Sequence, residues 1–320
     1  MRYIEVFKIV ALFIGTVIGA GFATGKEIVV FFGEQSSVTP FLAGITLGGF
    51  CGLFLYMSNS APEIGLFKEG KNGELVLTIC AFFSYVAMYS GAEYLLQSIF
   101  HVKGIGYISC IISMIFTYMG VEKIKWFNLL VIPILVILIF AMYLKVGIED
   151  IGSKVNIISP LMYGAMNVMM GGYMVAKSAP KLTKTEIVAT SVISGAFFSI
   201  LLFMVHMLVK NDKISAMPLY TVAQSLNMGY IAGIVIYIAI LTTLISSNAI
   251  LYNYGNRYVS SKLLVLVAII ALATPLKQLM GFEFIVTYIY PIISAVGIVV
   301  VCSLLVKIIT NRLNMRKNNK

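Results

Sequence analysis

The chain has 320 residues, of which 60% are hydrophobic and 11% charged, with a mean hydropathy of +0.97. Soluble domains carry about a quarter charged residues, and no single water-soluble core of this length hides so much apolar surface; the composition excludes a soluble enzyme and makes the bilayer the main solvent. The net charge of +10 is read as Lys and Arg held in cytoplasmic loops, and no nucleic-acid partner is expected.

Apolar segments fall at about 5–33, 39–59, 74–100, 104–120, 126–145, 157–178, 186–209, 229–254, 261–276 and 282–308. Each is expected to be a helix, because lipid offers no partner to a loose backbone N–H or C=O. The first begins like a signal peptide. Its apolar run is broken by glycines and by Lys26–Glu27 and then resumes to Phe32, so it reads as a retained span. Gly15, Gly19 and Gly21 sit near its midpoint. A glycine inside a helix costs about 1 kcal/mol relative to alanine, so a cluster there favours a break. In the third segment Tyr85 and Tyr89 lie four residues apart on one face. Their buried hydroxyls would need partners, in a polar pocket or in plain packing.

The sixth segment carries Gly164, Asn167 and the pair Gly171–Gly172. Between the seventh and eighth, the 210–228 connection holds Pro218 and a stretch, TVAQSL, suited to a short helix. The ninth segment offers only about 15 residues before Pro275, a length that need not span. Cys51, Cys80, Cys110 and Cys302 lie in apolar stretches at unrelated spacings and read as small buried hydrophobes. His206 reads as structural.

Charge placement argues for ten spans. With the N-terminus inside, sixteen of the 23 Lys and Arg fall on the cytoplasmic side and six outside; Lys26 lies within the first span. A ninth segment that failed to cross would put the basic tail outside. The expected organisation is a single transmembrane domain over 1–320 in the cell membrane, with both termini cytoplasmic and a tail at 309–320. Five spans cover about 4–145 and five about 157–308. An odd number per half reverses the second half's entry, as in the inverted repeats of secondary transporters. Glycine clusters in the first helix of each half are the expected pointer to a transport site. The competing reading is that they let helices pack closely.

This pattern resembles the LeuT-fold transporters of the amino acid–polyamine–organocation (APC) superfamily. The motif GAGFATGKE at 19–27 looks like that of YkvI-like bacterial membrane proteins. The resemblance implies an all-α integral membrane protein of about ten transmembrane helices in a 5+5 inverted repeat, with helices one and six broken. It also implies a Na⁺ site between helices one and eight. The eighth segment contains IAILTTLISSNAI, in which Ala239, Thr242 and Thr243 match the family spacing of one carbonyl followed by adjacent hydroxyls. Gly15 and Ile18 match the helix-one carbonyls. Neutral oxygens suit a hard cation. Ser246 and Ser247 offer a rival register with one ligand fewer. Ser and Thr in membrane helices also commonly bond back to their own carbonyls.

By the same resemblance, a small-molecule substrate would sit at the breaks. Free N–H groups at Gly19, Ala20 and Gly21 would face an anionic group, with Asn167, Gly171 and Gly172 opposite and Tyr85 and Tyr89 nearby. No acidic residue is expected at the break, which favours an amino acid or related carboxylate over an organic cation. Lys26, Glu27 and Glu93 are charges at membrane depth, which marks them as functional candidates. Lys26 paired with Glu93 would make an outer gate; Glu27 or Glu93 would carry a coupling proton; or the pair is static.

The expected function is a secondary active transporter with Na⁺ as coupling ion and no other cofactor. H⁺ coupling and a non-transporting solute sensor remain as alternatives. No enzyme is expected, since no nucleophile–base or metal constellation is present.

Overall fold

The structure, a computed structural model, describes residues 2–18, 20–60, 71–146, 154–179, 181–212 and 214–318. Among them all regular structure is helical. The first apolar segment forms three pieces: α1 (Tyr3–Val17), α2 (Ala20–Ala23) and α3 (Lys26–Phe32). α1 stops where Ile18 turns to φ −74°, ψ 81°. α3 starts after Gly25, whose φ of 80° lies in the left-handed region that a side chain disfavours. There follow α4 (Val38–Ser60), α5 (Lys71–Phe100), α6 (Tyr107–Met119), α7 (Val121–Val146), α8 (Ile158–Ser178) and α9 (Lys184–Val209). α10 (Pro218–Ser225), α11 (Gly229–Gly255), α12 (Lys262–Phe284), a π-helical turn (Ile285–Ile289) and α13 (Tyr290–Asn318) complete the chain.

Local chemistry sets several helix ends. At α9 the Thr183 hydroxyl accepts from the Glu186 N–H, and the Glu186 carboxylate accepts from the Thr183 N–H, a reciprocal capping box. α10 opens on Pro218, which needs no N–H partner in a first turn.

The helices are built for lipid. α6 turns Ser109, Cys110, Ser113 and Thr117 inward and Ile108, Ile111, Ile115 and Tyr118 outward. α7 buries Leu135, Ile139 and Met142 while exposing Ile137, Phe140 and Leu144. α6 thus turns its polar face inward, the reverse of a soluble helix, while α7 is apolar on both faces. Among the described residues, five stretches are long and apolar enough to cross a membrane: Val38–Asn59, Gly73–Phe100, Lys184–Val209, Gly229–Gly255 and Lys262–Thr310. Cys51, Cys80 and Cys110 are buried as expected, but Cys302 is exposed, on the outward face of α13.

Packing divides the helices around α1. α4 lies against α8 and α9, α11 lies against α5, α6 and α7, and α1 touches members of both sets. α1 is buried from Ile9 through its end. Small residues bring α4 and α9 close. Ser191 donates to the Gly48 carbonyl (2.7 Å) and Ser199 to the Phe41 carbonyl (2.9 Å).

Two expectations require correction. The sixth segment is not broken, because α8 runs uninterrupted through Gly164, Asn167, Gly171 and Gly172. Its glycines are packing positions instead. A Cβ at Gly171 would come within 2.9 Å of the Phe13 ring on α1, and one at Gly172 within 2.8 Å of Phe54 on α4. The ninth segment does not end at 276, since α12 continues through Pro275 to a kink at Gly281 (φ 68°, ψ 171°). One glycine, not a loop, separates it from the tenth.

The contacts at the helix ends sort into two sets. At one end Arg2 meets Glu186 and the Lys181 carbonyl, Arg257 meets Glu74, and the Lys262 ammonium stands 5.6 Å from the Tyr118 ring. At the other, Ser36 bonds the Lys154 carbonyl and Asn156 bonds Thr39.

Candidate functional site: the helix-one break

Where α1 ends, its last carbonyls face α11. The Thr242 hydroxyl lies 3.2 Å from the Gly15 carbonyl oxygen, 3.4 Å from that of Ile18 and 2.7 Å from that of Ala239. The Thr243 hydroxyl lies 3.2 Å from the Ile18 oxygen. Both threonines are buried. Three carbonyl and two hydroxyl oxygens from α1 and α11 therefore meet. Separations of 3.2–3.4 Å are those of adjacent ligands around a cation with metal–oxygen bonds of roughly 2.3–2.6 Å. A neutral, all-oxygen donor set fits a hard cation. The rival register does not reach α1. Ser246 bonds back to the Thr242 carbonyl (2.9 Å), and Ser247 bonds Ser84 of α5 (3.3 Å).

Beside these oxygens lies a cavity of about 40 Å³. Its polar walls are Thr16, Glu27, Ser84, Asn167, Thr243 and Tyr290. Thr243 belongs to both the oxygen cluster and the cavity, so the two share a wall. Asn167 lines this cavity, and its amide nitrogen donates to the Tyr163 carbonyl (3.0 Å). Gly19 lies outside the described residues, and Ala20 opens α2. The others do not line the cavity. Gly171 and Gly172 pack as described. Tyr85 is fully buried. The Tyr89 ring stacks edge-on against Tyr107 at 5.7 Å and under the Lys277 ammonium at 4.3 Å.

The expectation of a break free of acid is overturned by Glu27. Its side chain folds back so that a Cβ on Gly21 would overlap the carboxyl group. It is 3% exposed, and its Oε2 has no hydrogen-bond partner. The sequence marked Glu27 as a charge at membrane depth, for a coupling proton, and did not place it at the break. The non-helical backbone at Ile18 and Gly25 sets it against Gly21 and in the cavity wall. Thr16, Ser84 and Tyr290 also escaped the sequence reading, since single hydroxyls in apolar helices carry no periodic signal.

The expected Lys26–Glu93 pair does not form. Lys26 bonds Glu283 (2.6 Å) and the Ser215 carbonyl (3.1 Å). Glu93 pairs with Lys277 and also accepts from Gln97 (3.0 Å) and the Gly104 N–H (3.2 Å). Both pairs end on the same stretch of chain, one on each side of Gly281. α10 docks next to the break, with the Leu219 N–H bonded to the Thr24 carbonyl at 2.8 Å. His206 is tied to the Gly33 carbonyl at 3.1 Å.

No protein-family model matches the chain. The uncharacterized membrane protein YkvI of Bacillus subtilis (strain 168) is 23% identical over 334 residues, covering 92% of this chain and 94% of its own. Among solved structures, that of MhsT in complex with L-phenylalanine aligns with a TM-score of 0.62 at 13% identity, over 92% of this chain and 88% of its own. The chain has the LeuT fold. Mhp1, a nucleobase-cation-symport-1 family transporter in a closed conformation with bromovinylhydantoin bound, aligns with a TM-score of 0.57 at 13% identity, over 92% of this chain and 71% of its own. A LeuT fold with membrane-length apolar helices makes this a multi-pass membrane protein.

Proposed function

We propose that the chain is a secondary active transporter that moves a small amino acid or related solute by alternating access, with Na⁺ as its coupling ion. The observation that carries this reading is the meeting of the Gly15, Ile18 and Ala239 carbonyls with the Thr242 and Thr243 hydroxyls, at a break in α1, beside a polar cavity. A cation there would join α1 to α11 and bias which arrangement of the helices is populated, as differential binding must. Solutes at the cavity would share that bias through Thr243. MhsT with its bound amino acid and Mhp1 with its cation-symport family name support the assignment. One set of packed helices would move against the other in the cell membrane, with both termini cytoplasmic as the charge count implies.

The test is uptake of a panel of labelled amino acids into sealed vesicles holding the purified protein. An inward Na⁺ gradient should drive uptake, choline in its place should not, and Thr243→Ala should remove the sodium dependence. Sodium-independent uptake in the wild type would contradict the reading.

The second reading is proton coupling. Glu27 favours it, as a buried carboxyl with an unmet oxygen inside the cavity. Glu93 suits it less, because it is already held by Lys277, Gln97 and Gly104. Uptake driven by a pH jump without sodium, and lost in Glu27→Gln, would select it.

A further inference from the structure

Glu27 is unlike the paired acids of this chain. Glu93 is matched by Lys277, Glu74 by Arg257 and Glu186 by Arg2. Glu27 is as buried as any of them, yet among the described residues no Lys or Arg forms an ion pair with it. Its chain neighbour Lys26 points away, to Glu283 and Ser215. A carboxylate removed from water is costly unless an opposite charge or a full set of donors replaces the water. Among the described residues Oε2 meets no opposite charge and makes no hydrogen bond of good geometry; the neutral Tyr163 hydroxyl faces the carboxyl but supplies one donor at most, and the side chain lines the cavity. Among the described residues Glu27 is also the only carboxyl or amine in that wall.

We propose that Glu27 is the anion that receives the cationic amine of the transported solute, so that the cavity selects ammonium-bearing solutes over plain carboxylates. This rests on the transport reading and chooses within it. The Glu27 carboxyl lies against Gly21, where the sequence had suggested a place for the substrate's own carboxylate. A second anion set against it would be repelled, whereas an ammonium would meet its missing partner in a charge-assisted bond. The other polar walls are neutral: Thr16, Ser84, Asn167 and Tyr290. At roughly 10–15 Å³ per water, a cavity of about 40 Å³ has room for a small polar head, with the five oxygens of the cation cluster adjoining through Thr243.

The experiment is a thermal-shift series on the full chain in detergent near neutral pH, with sodium present and ionic strength matched. Methylammonium, glycine and acetate are the probes. Methylammonium and glycine should raise the melting temperature and acetate should not. Glu27→Gln should raise the methylammonium concentration needed for half the shift by about ten-fold or more, with the sodium-specific shift retained as evidence that the variant is folded. Glu27→Asp should keep a weakened amine shift. Should Glu27→Gln not fold, methylammonium against acetate on the wild type decides alone. The proposal is overturned by stabilisation with acetate and not methylammonium, by an amine shift that survives Glu27→Gln, or by no amine shift where sodium does stabilise. That last result would describe a carboxyl that is simply protonated. Loss of the sodium shift in Glu27→Gln without any amine effect would give the carboxyl to Na⁺ and also overturn it. Failure of the transport reading is separate: it shows as no sodium shift in the wild type and no flux in vesicles.

Discussion

Thr242 and Thr243 are neighbours in sequence but take different sets of partners. Thr242 reaches the Gly15, Ile18 and Ala239 carbonyls, while Thr243 reaches only that of Ile18 and also lines the cavity. A ligand bond to a charged group is worth about 1.5–3 kcal/mol. Thr242→Ala should therefore weaken Na⁺ binding by about thirty-fold, measured as the sodium concentration giving half the stabilisation. Ser246→Ala should leave that concentration unchanged, because Ser246 bonds only its own helix. A strong effect of Ser246 with none of Thr242 would transfer the site to the rival register. The sequence pointed to these threonines through the resemblance of Ala239, Thr242 and Thr243 to the LeuT-fold spacing; residues three and four apart on a helix share a face. Glu27 was marked as a charge at membrane depth, but its place in the cavity was not legible, because it depends on the non-helical backbone at Ile18 and Gly25, which no helical spacing encodes.

The first segment also shows what a single backbone angle does to an element. Gly25 holds φ at 80°, and a Cβ there would come within 2.8 Å of Val209 and 3.3 Å of the Leu219 N–H. Gly25→Ala should lower stability by more than the roughly 1–2 kcal/mol of a left-handed residue, read as a fall in melting temperature, and should loosen α10 from the break. An unchanged melt would mean that the turn is not needed. Lys277 of α12 and Glu93 of α5 are largely buried, whereas Glu283 of α12 is half exposed in its pair with Lys26. Removing one partner of a buried pair costs about 3–5 kcal/mol, since the other charge is stranded. Lys277→Met should be strongly destabilising, the double variant with Glu93→Gln milder, and Glu283→Gln mild throughout. Additive losses in that cycle would show no coupling between Lys277 and Glu93. Glycine clusters look alike in sequence whether they break a helix or pack one. Those at 15–21 border a break, whereas Gly171 and Gly172 admit Phe13 and Phe54. The difference lies in the neighbouring helix, which the segment itself does not contain.

For the whole molecule, composition alone was enough to name the solvent, because 60% hydrophobic residues demand lipid. The pattern of helices and the α1–α11 spacing were enough to suggest the LeuT fold. Charge pairing was the least legible level, since Lys26 and Glu93 each found a partner on a segment whose end depends on the kink at Gly281. The arrangement places α1 between two sets of helices, with the five oxygens on one side of its break and the Glu27 carboxyl in the cavity beside it. A cation at those oxygens would bind the folded protein alone. It would stabilise it by RT ln(1 + [L]/Kd), about 2.7 kcal/mol at one hundred times Kd. The decisive measurement is the melting temperature of the purified protein in NaCl against matched KCl and choline chloride, with Thr243→Ala alongside. The account predicts a rise specific to sodium that disappears in the variant. Equal melting temperatures in all three salts, or a sodium rise that Thr243→Ala leaves intact, would contradict it.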